Sequence, residues 1–341
     1  MEVDIEDFDS LRHYLTRQGR IKPSEPVSFK KLSGGVSNRT VRVERADGDA
    51  WVLKQALAKL RVDVDWFSSP ERIGVEAKAI RWLNSLAPKG TIPLFIFDDI
   101  ANYLMAMEAI PEESENWKSV LLSGKIVSNH FEQFGLLLGT IHRRSSEAGP
   151  EIRRAFADTT YFENLRLQPY YLYAAQNTPA ASEFLKALAR DTMRHPNSLV
   201  HGDFSPKNTL IYQGQLILLD YEVVHFGDPA FDVGFALTHF LSKANHLRPE
   251  RERLAVAAAL FWRVYRKQIE SLDWAEKLET RAVLHTLGCL LARVAGKSPL
   301  EYLTHDEAAG QQEVVLQLVA APPTSVNELI AEFIRKIEAH A

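Results

Sequence analysis

The sequence contains a single cysteine, Cys289, so no disulfide can form within the chain. This excludes a small secreted fold held by disulfides and favours a reducing compartment. Cys289 lies in an apolar run, residues 287–291, where we expect a buried and unreactive thiol. Long apolar runs are also missing, since residues 254–262 reach only about half of the roughly 18 residues that span a bilayer. The first residues are acidic and lack the apolar stretch of a secretory signal, so we expect a cytoplasmic protein.

An excess of charge of one sign is missing as well. The 40 Lys and Arg residues nearly balance the 44 Asp and Glu residues, which leaves a formal net charge of -4. Such a balance provides no basic surface for nucleic acid or for an anionic membrane, so we expect neither as a partner. With 341 residues, of which 46% are hydrophobic, the chain is long enough for two domains or one large two-lobed unit.

The hydrophobic pattern predicts a small sheet-rich part followed by a larger helical part. A short helix is predicted within residues 1–20, and another helix begins near residue 69. Strands are predicted at residues 29–32, 40–44, 51–54, 94–97 and 103–107. After a polar segment, residues 111–116, the pattern is mostly helical except for a strand-rich stretch, residues 198–221. We therefore predict an α+β fold with an N-lobe, residues 1–109, and a helical C-lobe, residues 110–341.

The segment 199–210 carries the most informative motif. An apolar strand leads into a His-Gly-Asp step that ends at Asp203, and Asn208 follows five positions later. The next apolar strand ends at Asp220 and Glu222, so four oxygen-bearing side chains gather where two strands finish. Oxygen ligands suit Mg²⁺ bound to phosphate, and the remaining carboxylate can orient an attacking hydroxyl and accept its proton. In phosphoryl transfer, one aspartate positions the attacking hydroxyl, while an asparagine and a second acid hold the metal ion on the nucleotide.

The preceding hundred or so residues contain candidate phosphate-binding elements. A glycine-rich segment between the first two strands allows backbone N–H groups to approach phosphate oxygens. Its candidate residues are Gly34, Gly35, Ser37 and Asn38. Lys54 ends the third strand and Glu76 lies on the next helix, an arrangement that presents an ammonium to nucleotide phosphates. Taken alone, the glycine-rich segment is typical of a tight turn, and Lys54 and Glu76 are typical of solvated surface charges. The Asp203 motif further along the chain favours the functional interpretation of both elements.

Together, these motifs resemble the aminoglycoside phosphotransferase/choline kinase superfamily of small-molecule kinases. The resemblance implies a bilobal protein kinase-like fold, ATP and Mg²⁺ as cofactors, and transfer of the γ-phosphoryl group to a hydroxyl. It implies that Asp203 is the catalytic aspartate and that Asn208 and Asp220 bind the metal. It also implies that Lys54 contacts phosphate and pairs with Glu76, and that the backbone of residues 107–110, including Glu108 and Ile110, binds the adenine edge.

A narrower resemblance is to methylthioribose kinases. It rests on residues 52–56, on the segment around Trp66 and residues 71–77, and on an acid-x-acid step in which Glu222 joins Asp220 at the metal. In that family Trp66 would lie near the nucleotide and the substrate. The sequence departs from the family at Asn208, where a serine is usual, and at Arg293, where the family has paired substrate arginines. Arg293 is a candidate substrate contact, and the alternative is an arginine that extends to water.

For four other polar residues, the sequence favours structural roles. His201 is expected to brace the catalytic loop, His142 to belong to a scaffold helix, and Asp228 and Asp232 to cap a helix and hold the loop.

The acceptor is less defined. Residues 241–341 hold thirteen basic and thirteen acidic residues, which disfavours a polycationic acceptor and favours a sugar-like or amino-alcohol metabolite. Two alternatives remain: a catalytically weak nucleotide-binding regulator of the same fold, and an aminoglycoside-resistance kinase. A protein kinase is disfavoured because residues 231–234 follow Asp220 too closely for a long activation segment. The oligomeric state stays open, with a homodimer among the options.

Overall fold

The structure, a computed structural model, describes residues 3–32, 35–62 and 65–340. The chain divides into two compact units, Met1–Ser85 with Ile92–Glu112 and Leu86–Thr91 with Glu113–Ala341. The predicted fold class is confirmed, since an antiparallel sheet dominates the first unit and helices dominate the second. Within the described residues, every helix is too short or too polar to cross a membrane.

The first unit is built on a five-stranded antiparallel sheet in the order β1-β2-β3-β5-β4. Its strands are β1 (Val27–Lys31), β2 (Asn38–Arg45), β3 (Ala50–Ala56), β4 (Phe95–Asp99) and β5 (Leu104–Glu108), and its helices are α1 (Phe8–Arg17) and α2 (Arg72–Leu86). Side chains alternate between the two faces of a strand. Leu53 of β3 therefore packs in the core that contains Leu11 and Leu15 of α1, whereas the next residue, Lys54, reaches Glu76 of α2.

The second unit contains the remaining helices and two small sheets. The helices are α3 (Trp117–Leu122), α4 (Ser128–Glu147), α5 (Pro150–Ala155), α6 (Thr160–Phe162), α7 (Tyr173–Asn177), α8 (Ser182–Thr192), α9 (Pro229–His246), α10 (Arg251–Ile269), α11 (Leu278–Ala295), α12 (His305–Ala320) and α13 (Val326–Ala339). A π-helical segment, Glu163–Leu172, joins α6 to α7. The strands are β6 (Glu115–Asn116), β7 (Ser198–Val200), β8 (Thr209–Tyr212), β9 (Gln215–Leu218) and β10 (His225–Gly227); β7 pairs with β10, and β8 lies between β6 and β9.

Helix α9 forms the centre of the second unit, because nearly every residue along it is buried. Its Gly234 allows α11 to approach closely, since a Cβ atom there would lie 2.7 Å from the backbone nitrogen of Thr286. The predicted burial of Cys289, which lies on α11, is confirmed: its side chain is fully buried, and burial raises the pKa of its thiol to about 12. The thiol is therefore protonated at neutral pH.

Candidate active site

A buried carboxylate holds the loop that follows β7 in place. Asp232, in the first turn of α9, accepts hydrogen bonds from the backbone N–H groups of His201 at 2.6 Å and Gly202 at 2.8 Å. His142 of α4 lies 3.3 Å from the same carboxylate, and its other ring nitrogen lies 2.9 Å from the Tyr265 hydroxyl. The structure therefore confirms that Asp232 holds the loop, as predicted, while Asp228 caps α9 through the backbone N–H of Ala230.

Any other residue would be strained at the position of Gly202 in this loop. Its φ of +76° lies in the left-handed region, which side chains with a Cβ atom rarely adopt. An added Cβ atom would also lie 2.8 Å from Cγ2 of Val223. The glycine of the His-Gly-Asp step is thus required by the turn that carries the chain into Asp203.

Asp203 lies at the end of this turn, among donors that hold its carboxylate in place. Its Oδ2 atom accepts hydrogen bonds from Asn208 Nδ2 at 2.7 Å and lies 2.9 Å from Arg166 Nη2. The carboxylate is largely buried, with a side-chain exposure of 13%. His201 braces the loop as predicted, because its Nδ1 accepts the Asp203 N–H and its Nε2 lies 3.2 Å from the Leu219 carbonyl.

The next residue, Phe204, fastens the loop to the helical core. Its ring is fully buried and stacks on Phe134 of α4 at a centroid distance of 3.9 Å. Phe134 itself packs edge-on against Trp117, which also contacts Phe131 and Phe240. A rigid aromatic cluster therefore fixes the backbone on the far side of Asp203, which limits the motion of the carboxylate.

Asp220 and Glu222 follow β9, as predicted. Asp220 has a φ of +71°, an uncommon value for a residue other than glycine and one that concentrates at functional sites. Glu222 is 5% exposed. Asn208 donates its Nδ2 group to Asp203, so the amide oxygen of Asn208 is the atom that can serve as a metal ligand. Two carboxylates and one amide oxygen fit a hard cation that keeps waters and phosphate oxygens in its shell. No cluster of three or more His, Cys, Asp or Glu side chains suited to a metal occurs in residues 3–32, 35–62 and 65–340.

Arg166 was missed by sequence reasoning. It belongs to the π-helical segment, is 6% exposed, and donates from Nε to the Gly202 carbonyl at 2.7 Å. Burial alone would lower the pKa of this guanidinium, but nearby acidic groups outweigh burial and raise it. The carboxylates among them are those of Asp203, Glu222 and Asp220. All three carboxylates therefore lie close enough to Arg166 to act on its charge, and Asp203 contacts it directly.

The predicted lysine and glutamate pair lies in the first unit. Lys54 Nζ is 2.5 Å from Glu76 Oε1. The lysine is 8% exposed and the glutamate is fully buried. Holding an ammonium in this place requires a buried carboxylate, because an unpaired buried charge is costly. The alternative interpretation of both residues as solvated surface charges is wrong.

The glycine-rich segment is tied to α2 by another residue that the sequence did not reveal. Gly34 lies outside the described residues, whereas Gly35 precedes the buried Ser37 and Asn38 at the start of β2. Arg72 is fully buried and donates to the carbonyl of Ser37 and to the carbonyl of Leu57 at 3.0 Å. This guanidinium therefore fixes the turn that precedes β2 against the loop that follows β3.

The segment after β5 offers one backbone donor. Glu108 and Ala109 donate their N–H groups to the carbonyls of Leu94 and Ala50, and the Ile110 carbonyl accepts a bond from Arg42 at 2.8 Å. Over the described parts of the chain, no protein acceptor meets the Ile110 N–H. An exposed edge with one such N–H suits the recognition of a planar heterocycle.

The two candidate substrate residues are both buried. Trp66 is 8% exposed, and its carbonyl accepts a bond from the Leu60 N–H within the loop between β3 and α2. Arg293 is 7% exposed and donates to the Tyr170 hydroxyl at 3.0 Å. The alternative of an arginine that extends to water is therefore wrong. Among the described residues, Arg293 makes no direct contact with Asp203, Asn208 or Arg166. The centroid of the Tyr170 ring lies 5.6 Å from the guanidinium of Arg293 and 5.8 Å from that of Arg166.

Comparisons with known proteins agree with this chemistry. The model of the phosphotransferase enzyme family, named APH, matches residues 28–274. A methylthioribose kinase of Klebsiella pneumoniae is 25% identical over 262 residues, which cover 68% of this chain and 64% of the relative. The matched part thus spans less than two thirds of that relative. A 4-hydroxytryptamine kinase of Psilocybe cyanescens is 23% identical over 269 residues, 70% of this chain and 73% of the relative.

Solved structures show the fold. An amicoumacin kinase in complex with AMP-PNP and Ca²⁺ is similar with a TM-score of 0.55 and 15% identity, over 94% of this chain and 98% of that chain. An aminoglycoside 2'-phosphotransferase in complex with GDP is similar with a TM-score of 0.53 and 16% identity, over 96% and 97% of the two chains. The expected kinase-like fold is therefore confirmed.

Proposed function

Because the chain belongs to the phosphotransferase enzyme family, we propose that it is a small-molecule kinase that uses ATP and Mg²⁺. In this proposal it transfers the γ-phosphoryl group to a hydroxyl of a sugar-like or amino-alcohol metabolite. The observation that carries the proposal is the arrangement around Asp203, whose carboxylate is held by Asn208 and by Arg166, a guanidinium on which Asp220 and Glu222 also act. The names of the relatives, a methylthioribose kinase and a hydroxytryptamine kinase, support a hydroxylated acceptor.

Asp203 orients the attacking hydroxyl and accepts its proton. Phosphoryl transfer depends on positioning and on charge stabilisation, so a carboxylate that two donors fix at one oxygen, and that precedes the stacked ring of Phe204, is suited to that task. Arg166 and Asn208 both contact Oδ2, which leaves Oδ1 as the atom that takes the proton.

The metal ligands in this proposal are Asn208, Asp220 and Glu222. When bound, Mg²⁺ neutralises charge on the transferring phosphate oxygens. The left-handed backbone of Asp220 and the burial of Glu222 hold both carboxylates ready without rearrangement. The positive charge of Arg166 offsets the repulsion among the acids. Because its pKa is raised, Arg166 stays charged at every pH at which the acids are ionised.

The nucleotide contacts come from the first unit. We assign phosphate contact to Lys54, with Glu76 as its ion-pair partner, and to the backbone around Gly34, Gly35, Ser37 and Asn38. The backbone of Glu108 and Ile110 contacts the adenine edge, with the Ile110 N–H as donor. Residues 1–109 then form the N-lobe and residues 110–341 the C-lobe, and Trp66 and Arg293 are substrate contacts.

The deciding experiment replaces Asp203 by Asn. General-base catalysis contributes about 10²- to 10⁴-fold, so we expect kcat to fall by at least about a hundredfold while the affinity for ATP is retained. ATP consumption is measured over a panel of pentoses, methylthioribose, amino alcohols and aminoglycosides, and nucleotide binding is measured by calorimetry. Asp306→Asn, at an exposed position on α12, is the matched control. Turnover by Asp203→Asn at the rate of the parent protein would remove Asp203 from the mechanism. ATP binding without consumption over the whole panel would favour a regulator.

A further inference from the structure

Two buried cations in the second unit have no acidic partner. Lys243 of α9 is fully buried, and Arg293 at the end of α11 is 7% exposed. Across residues 3–32, 35–62 and 65–340, no carboxylate oxygen lies within 4 Å of either cation; both are bound by neutral groups instead. Buried charges are usually paired, since removing an unpaired ion from water costs several kcal/mol. Two such cations in one region suit a ligand whose negative charge pairs with both of them.

Several donors of this region also lack acceptors. Lys243 Nζ donates to the carbonyl of His239 at 3.2 Å, one turn earlier on its own helix, which satisfies one of three N–H bonds. Arg293 Nη1 donates to the Ser298 carbonyl at 2.7 Å, but Arg293 Nε is buried and has no partner. The Tyr302 hydroxyl is buried without a partner as well. Unsatisfied buried donors are rare, so they suit a ligand that accepts hydrogen bonds.

The segment of residues 298–302 connects Arg293 with Tyr302, because Arg293 binds the Ser298 carbonyl and accepts the Leu300 N–H. Lys243 Nζ lies 5.2 Å from the ring centroid, and Lys118 Nζ of α3 lies 5.9 Å from it. Lys118 pairs with Glu301, whose side chain is 64% exposed. Glu301 is therefore at the surface, where water screens its charge. The other acid that acts on Tyr302 is Glu307, which lies 2.9 Å from His246, and the His246 ring lies 5.4 Å from the Tyr302 ring.

The electrostatics agree with this geometry. Burial, followed by the fields of Lys118 and Arg293, lowers the pKa of Lys243 to about 7, and Glu301 opposes this shift only in part. His239 is also buried, and burial together with Lys243 lowers its pKa well below the ordinary value. A bound anion would favour the charged form of Lys243, so the anion and a proton would bind together near neutral pH.

We propose that Lys243, Arg293 and Tyr302 form a binding site for an anionic group, a carboxylate or a phosphate, of the acceptor substrate. The part of this inference that concerns the acceptor rests on the proposed kinase function. Tyr170 links the site to the catalytic group, because its hydroxyl accepts a bond from Arg293 and its ring lies 5.8 Å from the guanidinium of Arg166. An acceptor held by its anionic group at Arg293 would then have hydroxyls directed towards Asp203.

Anion binding is tested without any kinase reaction. Acetate and inorganic phosphate are titrated calorimetrically at constant ionic strength into the parent protein, Lys243→Met and Tyr302→Phe, with Lys186→Met on the exposed face of α8 as control. Because hydrogen bonds to charged groups contribute more than neutral ones, we expect about tenfold weaker binding in Lys243→Met and a smaller loss in Tyr302→Phe. Binding should weaken in the parent protein as pH rises through about 7.

Each outcome bears on the site. Preference for acetate or for phosphate identifies the anionic group as a carboxylate or a phosphate. Equal anion affinity in the parent protein and in both variants, or no affinity in any of them, overturns the site. Thermal unfolding shows whether Lys243→Met is folded, and Tyr302→Phe keeps the test decisive if it is not.

The acceptor role is tested by ATP consumption with sorbitol, gluconate and glucose 6-phosphate. We expect an anionic acceptor to have a KM about tenfold below that of sorbitol, and Lys243→Met to remove this difference. An equal or lower KM for sorbitol overturns the acceptor role. No consumption with any hydroxylated acceptor counts against the kinase function instead, and the calorimetric result on the anion site then stands alone.

Discussion

Replacing Asp232 by Asn should destabilise the second unit strongly, although the change is nearly isosteric. Asp232 accepts backbone hydrogen bonds from His201 at 2.6 Å and Gly202 at 2.8 Å, and its side chain is fully buried. Asn retains one acceptor and places an NH₂ group against the other N–H, so one bond becomes a contact between two donors. Hydrogen bonds to charged groups contribute about 1.5–3 kcal/mol each. The loss should therefore be about 2–5 kcal/mol of a total stability of about 5–15 kcal/mol.

Urea unfolding at pH 7 measures this loss, and the pH dependence of the loss tests its cause. Burial would raise the pKa of Asp232, but the hydrogen bond from His142 and the loop N–H groups outweigh burial and lower it from 3.8. A lowered pKa means that the stabilisation is complete above the unfolded value of 3.8 and disappears as the pH falls through the lower folded value. The difference between the parent protein and Asp232→Asn should therefore shrink at acidic pH.

The control is the same substitution at Asp306, an exposed residue of α12, which should change stability by less than about 0.5 kcal/mol. Equal urea midpoints for the parent protein and Asp232→Asn at pH 7 would refute the assignment. A difference that stays constant down to pH 3 would refute its electrostatic cause and leave packing as the explanation.

Three further substitutions test the site. Lys54→Met should weaken ATP binding or lower kcat by about tenfold or more, measured against Lys186→Met, and unchanged values would exclude Lys54 from the site. Gly202→Ala should lower the free energy of unfolding by about 1–3 kcal/mol, because φ is +76° and Val223 occupies the space; an unchanged melting temperature would contradict this. Arg166→Met should lower kcat by about tenfold or more, because it removes the cation 2.9 Å from the Asp203 carboxylate, and Arg166→Lys should retain part of the activity; an unchanged kcat would exclude Arg166 from the site.

The contacts that the sequence predicted are those that follow from local connectivity. Asp203 and Asn208 are five positions apart, and their 2.7 Å contact needs only the short loop between β7 and β8. Asp220 follows the hairpin of β8 and β9, so the same strands deliver it. Lys54 likewise follows from its place in β3, because successive side chains on a strand point to opposite faces and Leu53 packs in the core.

The residues that the sequence did not reveal act over longer separations. Arg166 reaches Asp203 from a π-helical segment that contains Pro169, a segment with no simple periodicity. Arg72 begins a helix and resembles an ordinary surface charge in the sequence, yet it is fully buried against the carbonyls of two loops. An isolated arginine gives no signal of its partner, because its long side chain can reach groups on any neighbouring element.

The count of charges in residues 241–341 is a further case in which composition and structure differ. The thirteen basic and thirteen acidic residues cancel in number, but they do not cancel in space. Glu332 pairs with Arg335 at 36% and 64% exposure, where solvent screens both charges, whereas Lys243 and Arg293 are buried without acids. Electrostatic interactions are several times stronger in a buried region than in water, so the few buried charges decide which ligands bind. In the proposed anion site, Lys243 and Arg293 therefore disfavour a polycationic acceptor. The even count of charges could not show this, because a site of the opposite sign could give the same sum.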